Sequence, residues 1–177
     1  MSQYIRRYVP GGTYFFTVRL QDQRSDLLTA RIGLLRDAVR LCRKQSPFRI
    51  DAAVILPAEL HMIWTLPAGD ADFSGRWRMI KSTFSRHLPV PNNLTAMQKR
   101  RGEKGIWQRR FWEHVIRDEG DFALHLHLIT TAPVRAGLVR RATDWPYASW
   151  HHDKGAAFRT LARAPSSPDP AIAAPAM

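Results

Sequence analysis

Cysteine is almost missing from this chain. The one present, Cys42, excludes an internal disulfide and falls among Val39, Leu41 and basic residues, where it reads as a small buried side chain or an inert surface thiol. Long apolar runs are missing too: nothing approaches a membrane span, and no signal-peptide-like segment opens the chain. The expectation is a cytoplasmic protein with no membrane partner. Acid is scarce, with 15 Asp plus Glu against 27 Lys plus Arg and a formal charge of +12. Such an excess does nothing for stability and attracts a polyanion. An anionic membrane is the competing polyanion, but no strongly amphipathic terminal helix supports it. Arginine outweighs lysine, which favours bidentate contacts to phosphate and bases.

What is present suffices for one domain. A chain of 177 residues buries a substantial core without disulfide or metal staples. We place that domain at residues 1–153. Alanine, proline and serine dominate residues 154–177, a tail expected to be disordered. No internal repeat is apparent.

The chain reads as strand, helix, strand, strand, helix, strand, helix. After the Gly11-Gly12 turn, Thr13 to Leu20 is rich in β-branched and aromatic residues and forms a strand, with Tyr14, Phe16 and Val18 toward the core and Thr17 and Arg19 opposite. Arg6 and Arg7 before it are a solvated terminus or a DNA contact. From Ser25 or Asp26 a helix carries Leu27, Leu28, Ile32, Leu35, Val39 and Leu41 on one stripe and stops at Ser46-Pro47. Phe48 to Leu56 and Glu59 to Leu66 are strands joined by Pro57-Ala58. Asp70 to Leu88 is a helix with Phe73, Trp77, Ile80 and Phe84 on its apolar side, and Arg76, Arg78, Lys81 and Arg86 as a basic face. That face is solvated or meets phosphate. A charged loop then runs from Pro89 to Gly105. The aromatic turn Thr143 to Trp150 is expected to close the core.

The densest chemistry lies between Gly105 and Val139. Trp107, Phe111 and Trp112 enclose Gln108, Arg109 and Arg110, a mixture that suits phosphate and stacked bases. A strand from about Ile106 to Ile116 would place Trp107, Arg109, Phe111 and Glu113 on one face, and Gln108, Arg110, Trp112 and His114 on the other. Asp118 to Asp121 opens a helix, taken as Phe122 to Thr131 because Ala132 precedes a proline. Its His125-Leu126-His127 resembles a metal motif in letters. On a helix, residues two apart lie about 200° around the axis and cannot meet at one ion.

The runs WQRRFWEHVIRDEGDF, PVRAGLV and DWPYASWHH, with VILPAELHMIWTLP, RWRMIKSTFSRHLP and YVPGGTYFFTVRL upstream, resemble the REP-associated tyrosine transposases. These are relatives of the single-tyrosine HUH transposases of bacterial insertion sequences, and the resemblance covers about Tyr8 to His152. It implies an α+β fold, an antiparallel sheet with helices packed on one side in the ferredoxin-like manner of HUH nucleases. It also implies DNA transposition and recombination by metal-dependent cleavage and joining at single-stranded or hairpin palindromic-repeat (REP) DNA, by a monomer or homodimer.

The resemblance further implies a metal-binding histidine, hydrophobic, histidine triplet and an attacking tyrosine. The triplet position reads Glu59-Leu60-His61 and the tyrosine position is Leu128. Where the family has an asparagine as a possible third ligand stands Ala132. Glu59 and His61, two apart on a strand, share a face and could still offer a pair to Mg²⁺ or Mn²⁺. No catalytic residue is therefore expected to be intact. DNA contacts are expected from Arg78, Lys81, Arg100, Arg101, Lys104, Trp107, Arg109 and Arg110. The leading expectation is a hairpin-binding protein impaired in cleavage. The alternatives are an active nuclease using Glu59, His61 and a water or a displaced side chain, and a basic RNA-binding or structural protein. Tyr147, among tryptophans and beside a proline, reads as packing before it reads as a displaced nucleophile.

Overall fold

The computed structural model describes residues 7–90 and 94–151. The tail at 154–177, and Arg6, lie outside the described residues. In chain order the elements are β1 (Thr13–Arg19), α1 (Leu27–Ala30), α2 (Ile32–Gln45), β2 (Arg49–Ile55), β3 (Glu59–Thr65), α3 (Phe73–Arg86), α4 (Ala96–Arg100), β4 (Trp112–Val115) and α5 (Glu119–Arg135). The four strands form one antiparallel sheet in the order β2-β3-β1-β4.

Alternation along the strands divides the sheet into two faces. Tyr14, Phe16 and Val18 of β1 and Leu60, Met62 and Trp64 of β3 point toward α2 and α3, where Leu35, Ala38, Cys42, Phe73, Trp77, Ile80 and Phe84 complete the larger core. Trp64 and Trp77 stack there with ring centroids 4.3 Å apart. Cys42 is buried among them. On the other face Phe15, Ala52, Val54 and Ile63 meet Leu126, Ile129 and Ala132 of α5. The helices therefore cover both faces, not one side as expected from sequence. A centre apolar on both faces cannot leave one open to water.

Other boundaries also move. The expected helix from Asp26 is interrupted at Arg31 into α1 and α2, and the free Leu28 N–H of the first turn donates to Pro57 O, which fixes α1 to the β2–β3 turn. Leu41 is exposed, off the buried stripe. The charged loop contains α4, whose Thr95 and Gln98 form a capping box. The expected strand 106–116 shortens to β4, preceded by a single bridge between Trp107 and Leu20; the polar run Gln108 to Arg110 between them is outside the ladder.

α5 is longer than expected at both ends. Asp118 caps it by accepting from the Asp121 N–H, which brings Glu119 and Gly120 into the first turn. At the far end Pro133 lies inside the helix, and Ala132 and Pro133 are both buried. Burial there offsets the backbone bond that proline cannot make, and Gly137, at φ +69°, supplies the left-handed turn that ends the segment. The aromatic turn closes the molecule as expected: Ala148 bridges to Val54 and Trp145 Nε1 donates to Ile55 O.

Candidate nucleic-acid site

Three features make up the site: a basic groove beside α3, a charged cluster at the ends of β1 and β3, and a polar cluster between β4 and α5. The groove has a volume of about 490 Å³, and its lining includes Arg78, Lys81, Arg86, Lys104, Trp107 and Arg109. It forms because the segment after Gly102 folds back along the polar side of α3. Lys104 Nζ donates to the carbonyls of Ser85, Arg86 and Leu88, the open end of α3, which satisfies orphan acceptors and complements the helix dipole. Lys81 Nζ donates to Gln108 O and lies over the Trp107 and Phe111 rings.

Of the eight expected DNA contacts, five line the groove: Arg78, Lys81, Lys104, Trp107 and Arg109. Their surroundings differ. Arg78 and Arg109 are exposed, whereas Lys81 and Lys104 are half-buried in internal bonds. Trp107 donates from Nε1 to Ser85 Oγ and meets Phe84 edge-on, so its ring is partly spent on packing. Arg100 and Arg101 stand exposed at the end of α4, and Arg110 is exposed just before β4. Arg76, read from sequence with the basic face, is buried instead. It pairs with Asp70 at 2.6 Å and donates to the carbonyls of Ser46, Pro47 and Asp72, joining the end of α2 to the start of α3.

Glu59 and His61 do share a face, the one covered by α5. Pairing of β1 with β3 sets Arg19 opposite Glu59 and Thr17 opposite His61. Arg19 Nε donates to Glu59 Oε2 at 2.7 Å, Thr17 Oγ1 and His61 Nδ1 share a hydrogen bond of 2.9 Å, and His61 Nε2 is 3.5 Å from Glu59 Oε1. His61 and, against desolvation, Arg19 hold the Glu59 carboxyl down at about 2. A Mg²⁺ or Mn²⁺ ion needs a near-complete shell of oxygen-rich donors. Two side chains are offered here, one already neutralised by a guanidinium, and Ala132, where the resemblance implies a possible third ligand, brings only a buried methyl group. This donor set does not fit such an ion.

Between β4 and α5, His114, Asp121 and His125 bring their ligand atoms within 4.8 Å of one another, a spacing that would admit a cation. The same atoms are engaged internally. His114 Nε2 and Asp121 Oδ2 are 2.8 Å apart, His125 Nδ1 is 2.8 Å from Asp121 O, and the two imidazoles stack at 4.4 Å. Burial pushes the Asp121 carboxyl up, but His114 and the N–H groups of Arg117 outweigh it and hold it at about 2. Burial pushes the His125 imidazole down. Phe15 bridges the two clusters, stacked on His61 at 5.8 Å and against His125 at 4.8 Å.

Sequence reasoning missed this second cluster because it treated His125 only as half of a helical triplet; the usable spacing was Asp121 to His125, one turn apart. It also missed the Arg19–Glu59 pair. The signal available was opposite charge at the ends of two strands that pair antiparallel. His127, the other half of the triplet, is exposed while His125 is buried, as helical geometry requires.

Leu128 lies half-buried on α5. Among the described tyrosines, Tyr14 is buried in the opposite core with its hydroxyl donating to Val9 O, Tyr8 stacks on Phe73, and Tyr147 packs against the α2 side. No described tyrosine sits on the face that carries Glu59 and His61.

No protein-family model matches the chain. It is 45% identical over 153 residues to the REP-associated tyrosine transposase of Escherichia coli K12, covering 86% of this chain and 85% of that protein. The chain belongs to the REP-associated tyrosine transposase family. A putative REP-associated tyrosine transposase of Haemophilus influenzae is 42% identical over 154 residues, covering 86% of this chain and 88% of that protein. A solved structure of a REP-associated tyrosine transposase bound to a REP hairpin superposes with a TM-score of 0.82 at 40% identity, over 100% of this chain and 99% of the other. The four-stranded antiparallel sheet with helices packed on it is thus the fold of this transposase family. Among the described residues no helix is long and apolar enough to cross a membrane.

Proposed function

We propose that this family member binds hairpin DNA of the REP type and does not cleave it. Hairpin binding is supported by the relative solved with a REP hairpin and by the basic groove lined by Arg78, Lys81, Lys104 and Arg109, of which Arg78 and Arg109 are exposed cations able to meet phosphate. The absence of cleavage is carried by one observation. Leu128, at the position where the resemblance implies the attacking tyrosine, has no oxygen, and no described tyrosine lies on its side of the sheet. Covalent phosphotyrosine chemistry needs that oxygen. With the first metal position held as a glutamate by Arg19, the family's divalent ion also lacks its donors. The exposed arginines Arg100, Arg101 and Arg110 extend the basic surface that we assign to the DNA.

The test is purified protein with a labelled single-stranded hairpin and Mg²⁺ or Mn²⁺, scoring complex and cleavage in one gel. Retained complex with intact DNA is expected, and Leu128→Ala leaves that pattern as it was. Metal-dependent cleavage lost in His61→Ala would overturn this reading in favour of an active nuclease with another nucleophile. A matched RNA hairpin that outcompetes the DNA would overturn it in favour of RNA binding.

A further inference from the structure

The end of β1 is where the basic groove and the α5 face meet. Gln108 donates its N–H to Arg19 O at 2.9 Å while its own carbonyl accepts from Lys81 Nζ at 2.7 Å, so the groove lining continues directly into the backbone of Arg19. The Arg19 side chain leaves on the other face, where Nε is fixed by Glu59 and the residue remains 46% exposed. Among the described residues neither Nη makes a hydrogen bond. A guanidinium oriented through Nε and open at Nη presents a preformed fork for two oxygens of one phosphate. Beside it His61 is held by Thr17. One strand across and two residues back from Arg19, Trp112 pairs with Thr17 on the same face and exposes 46% of its surface, an aromatic plane within one nucleotide's reach of Arg19.

We propose that the Arg19–Glu59–His61 cluster is a metal-independent phosphate site, in which the Arg19 guanidinium, aimed by Glu59 through Nε, uses its open Nη groups to grip a backbone phosphate of single-stranded DNA next to a base stacked on Trp112. The inference rests on the hairpin-binding reading for how the strand arrives: DNA seated in the groove passes its single-stranded flank over the end of β1. Glu59 is then a positioning residue that aims Arg19 through Nε. Its negative charge opposes the phosphate, so its two roles have opposite signs and can be separated.

The experiment compares a blunt hairpin, the same hairpin with a four-nucleotide single-stranded extension, and a free tetrathymidylate. Each is titrated into the full chain in EDTA or in Mn²⁺, by fluorescence anisotropy and by the Arg19 Nε–Hε resonance. We expect the extension to add affinity equally in EDTA and in Mn²⁺. In Arg19→Gln the advantage of the extended over the blunt hairpin falls about tenfold, and its log–log salt slope drops by about 0.7, one phosphate on a single strand. Trp112→Ala lowers the same advantage. Glu59→Gln, which removes a charge that repels DNA, raises it about threefold; a metal-ligand role for Glu59 would instead lower it, and in Mn²⁺ alone. Tetrathymidylate in EDTA shifts the Arg19 resonance. If blunt hairpin fails to bind while tetrathymidylate still shifts Arg19, the hairpin reading fails and this site stands. An extension whose effect needs Mn²⁺, or an Arg19 resonance that tetrathymidylate leaves unmoved, overturns the proposal.

Discussion

The two faces of the sheet are built from the same four strands to different ends. The face toward α2 and α3 is an aromatic core in which Trp64, Trp77, Tyr14, Phe16, Phe73 and Phe84 are fully buried, and the buried Arg76, paired with the half-buried Asp70, joins two helices through the carbonyls of Ser46 and Pro47. The face toward α5 buries smaller groups, Ala52, Val54, Ile63 and Ala132, and carries Glu59, His61, His114, Asp121 and His125 at its margins. One face is packed for stability. The other trades burial for polar groups held in place by one another, the arrangement expected where a ligand is met. Substitutions on the first should therefore cost stability alone, and those among the polar groups of the second should cost less stability and reach binding as well.

The largest break in that comparison is expected from Trp77→Ala. Its ring stacks on Trp64 and meets Phe16 edge-on, and emptying such a site costs about 3–5 kcal/mol in urea unfolding. Arg76→Ala follows at about 3 kcal/mol, because Asp70 loses its partner and the carbonyls of Ser46, Pro47 and Asp72 lose their donor. Neither residue touches the proposed DNA surface, so hairpin affinity per folded molecule should not change. A loss of affinity at full folding would put the groove and the core in one energetic unit.

On the α5 face Asp121→Asn is expected to cost about 2 kcal/mol, since the buried carboxylate serves His114, Arg117 and the helix start together. The pH dependence follows with a definite sign. Asp121 and Glu59 are held at about 2 in the folded chain, below an unfolded value of about 4, so their contribution is complete above pH ~4 and lost as pH falls toward ~2. His125 is lowered by burial, so the unfolded chain takes up its proton first and stability begins to fall as pH drops below ~6.5. Unfolding free energies measured across that range should show both steps. Asp121→Asn should shrink the acid one, and His125→Gln should remove the upper one.

The first face was legible because its residues obey simple periods. Phe73, Trp77, Ile80 and Phe84 repeat at helical spacing, and Tyr14, Phe16 and Val18 at strand spacing, and all seven are buried. The second face was legible only in part. That Glu59 and His61 share a face follows from a period of two, but that Arg19 meets Glu59 depends on the register between strands 40 residues apart, which no local pattern carries. The burial of Arg76 was hidden for the same reason: its position on α3 is amphipathically correct for solvent, and only the approach of Ser46 and Pro47 from α2 encloses it. The closing proline of α5 was misread as a stop because a tertiary contact, burial of Ala132 and Pro133 against the sheet, overrides the local preference.

The smallest effect on stability, and the sharpest on the comparison, belongs to Leu128→Tyr. Leu128 is half-buried and lies outside the apolar cluster beneath α5, so a larger ring with an exposed hydroxyl is expected to change unfolding by under ~1 kcal/mol. The substitution places a hydroxyl where we propose that the attacking oxygen is missing. Cleavage of a labelled hairpin in Mn²⁺ should nevertheless stay absent. An oxygen alone does not polarise the scissile phosphate, and of the two side chains that would hold an ion Glu59 is committed to Arg19, which leaves His61 Nε2 as a single donor. Cleavage by this single variant would mean that the Arg19–Glu59 pair opens to admit metal. The α5 face would then be a dormant nuclease one residue short of activity, and the division drawn between the two faces would lie between stability and catalysis instead of stability and binding.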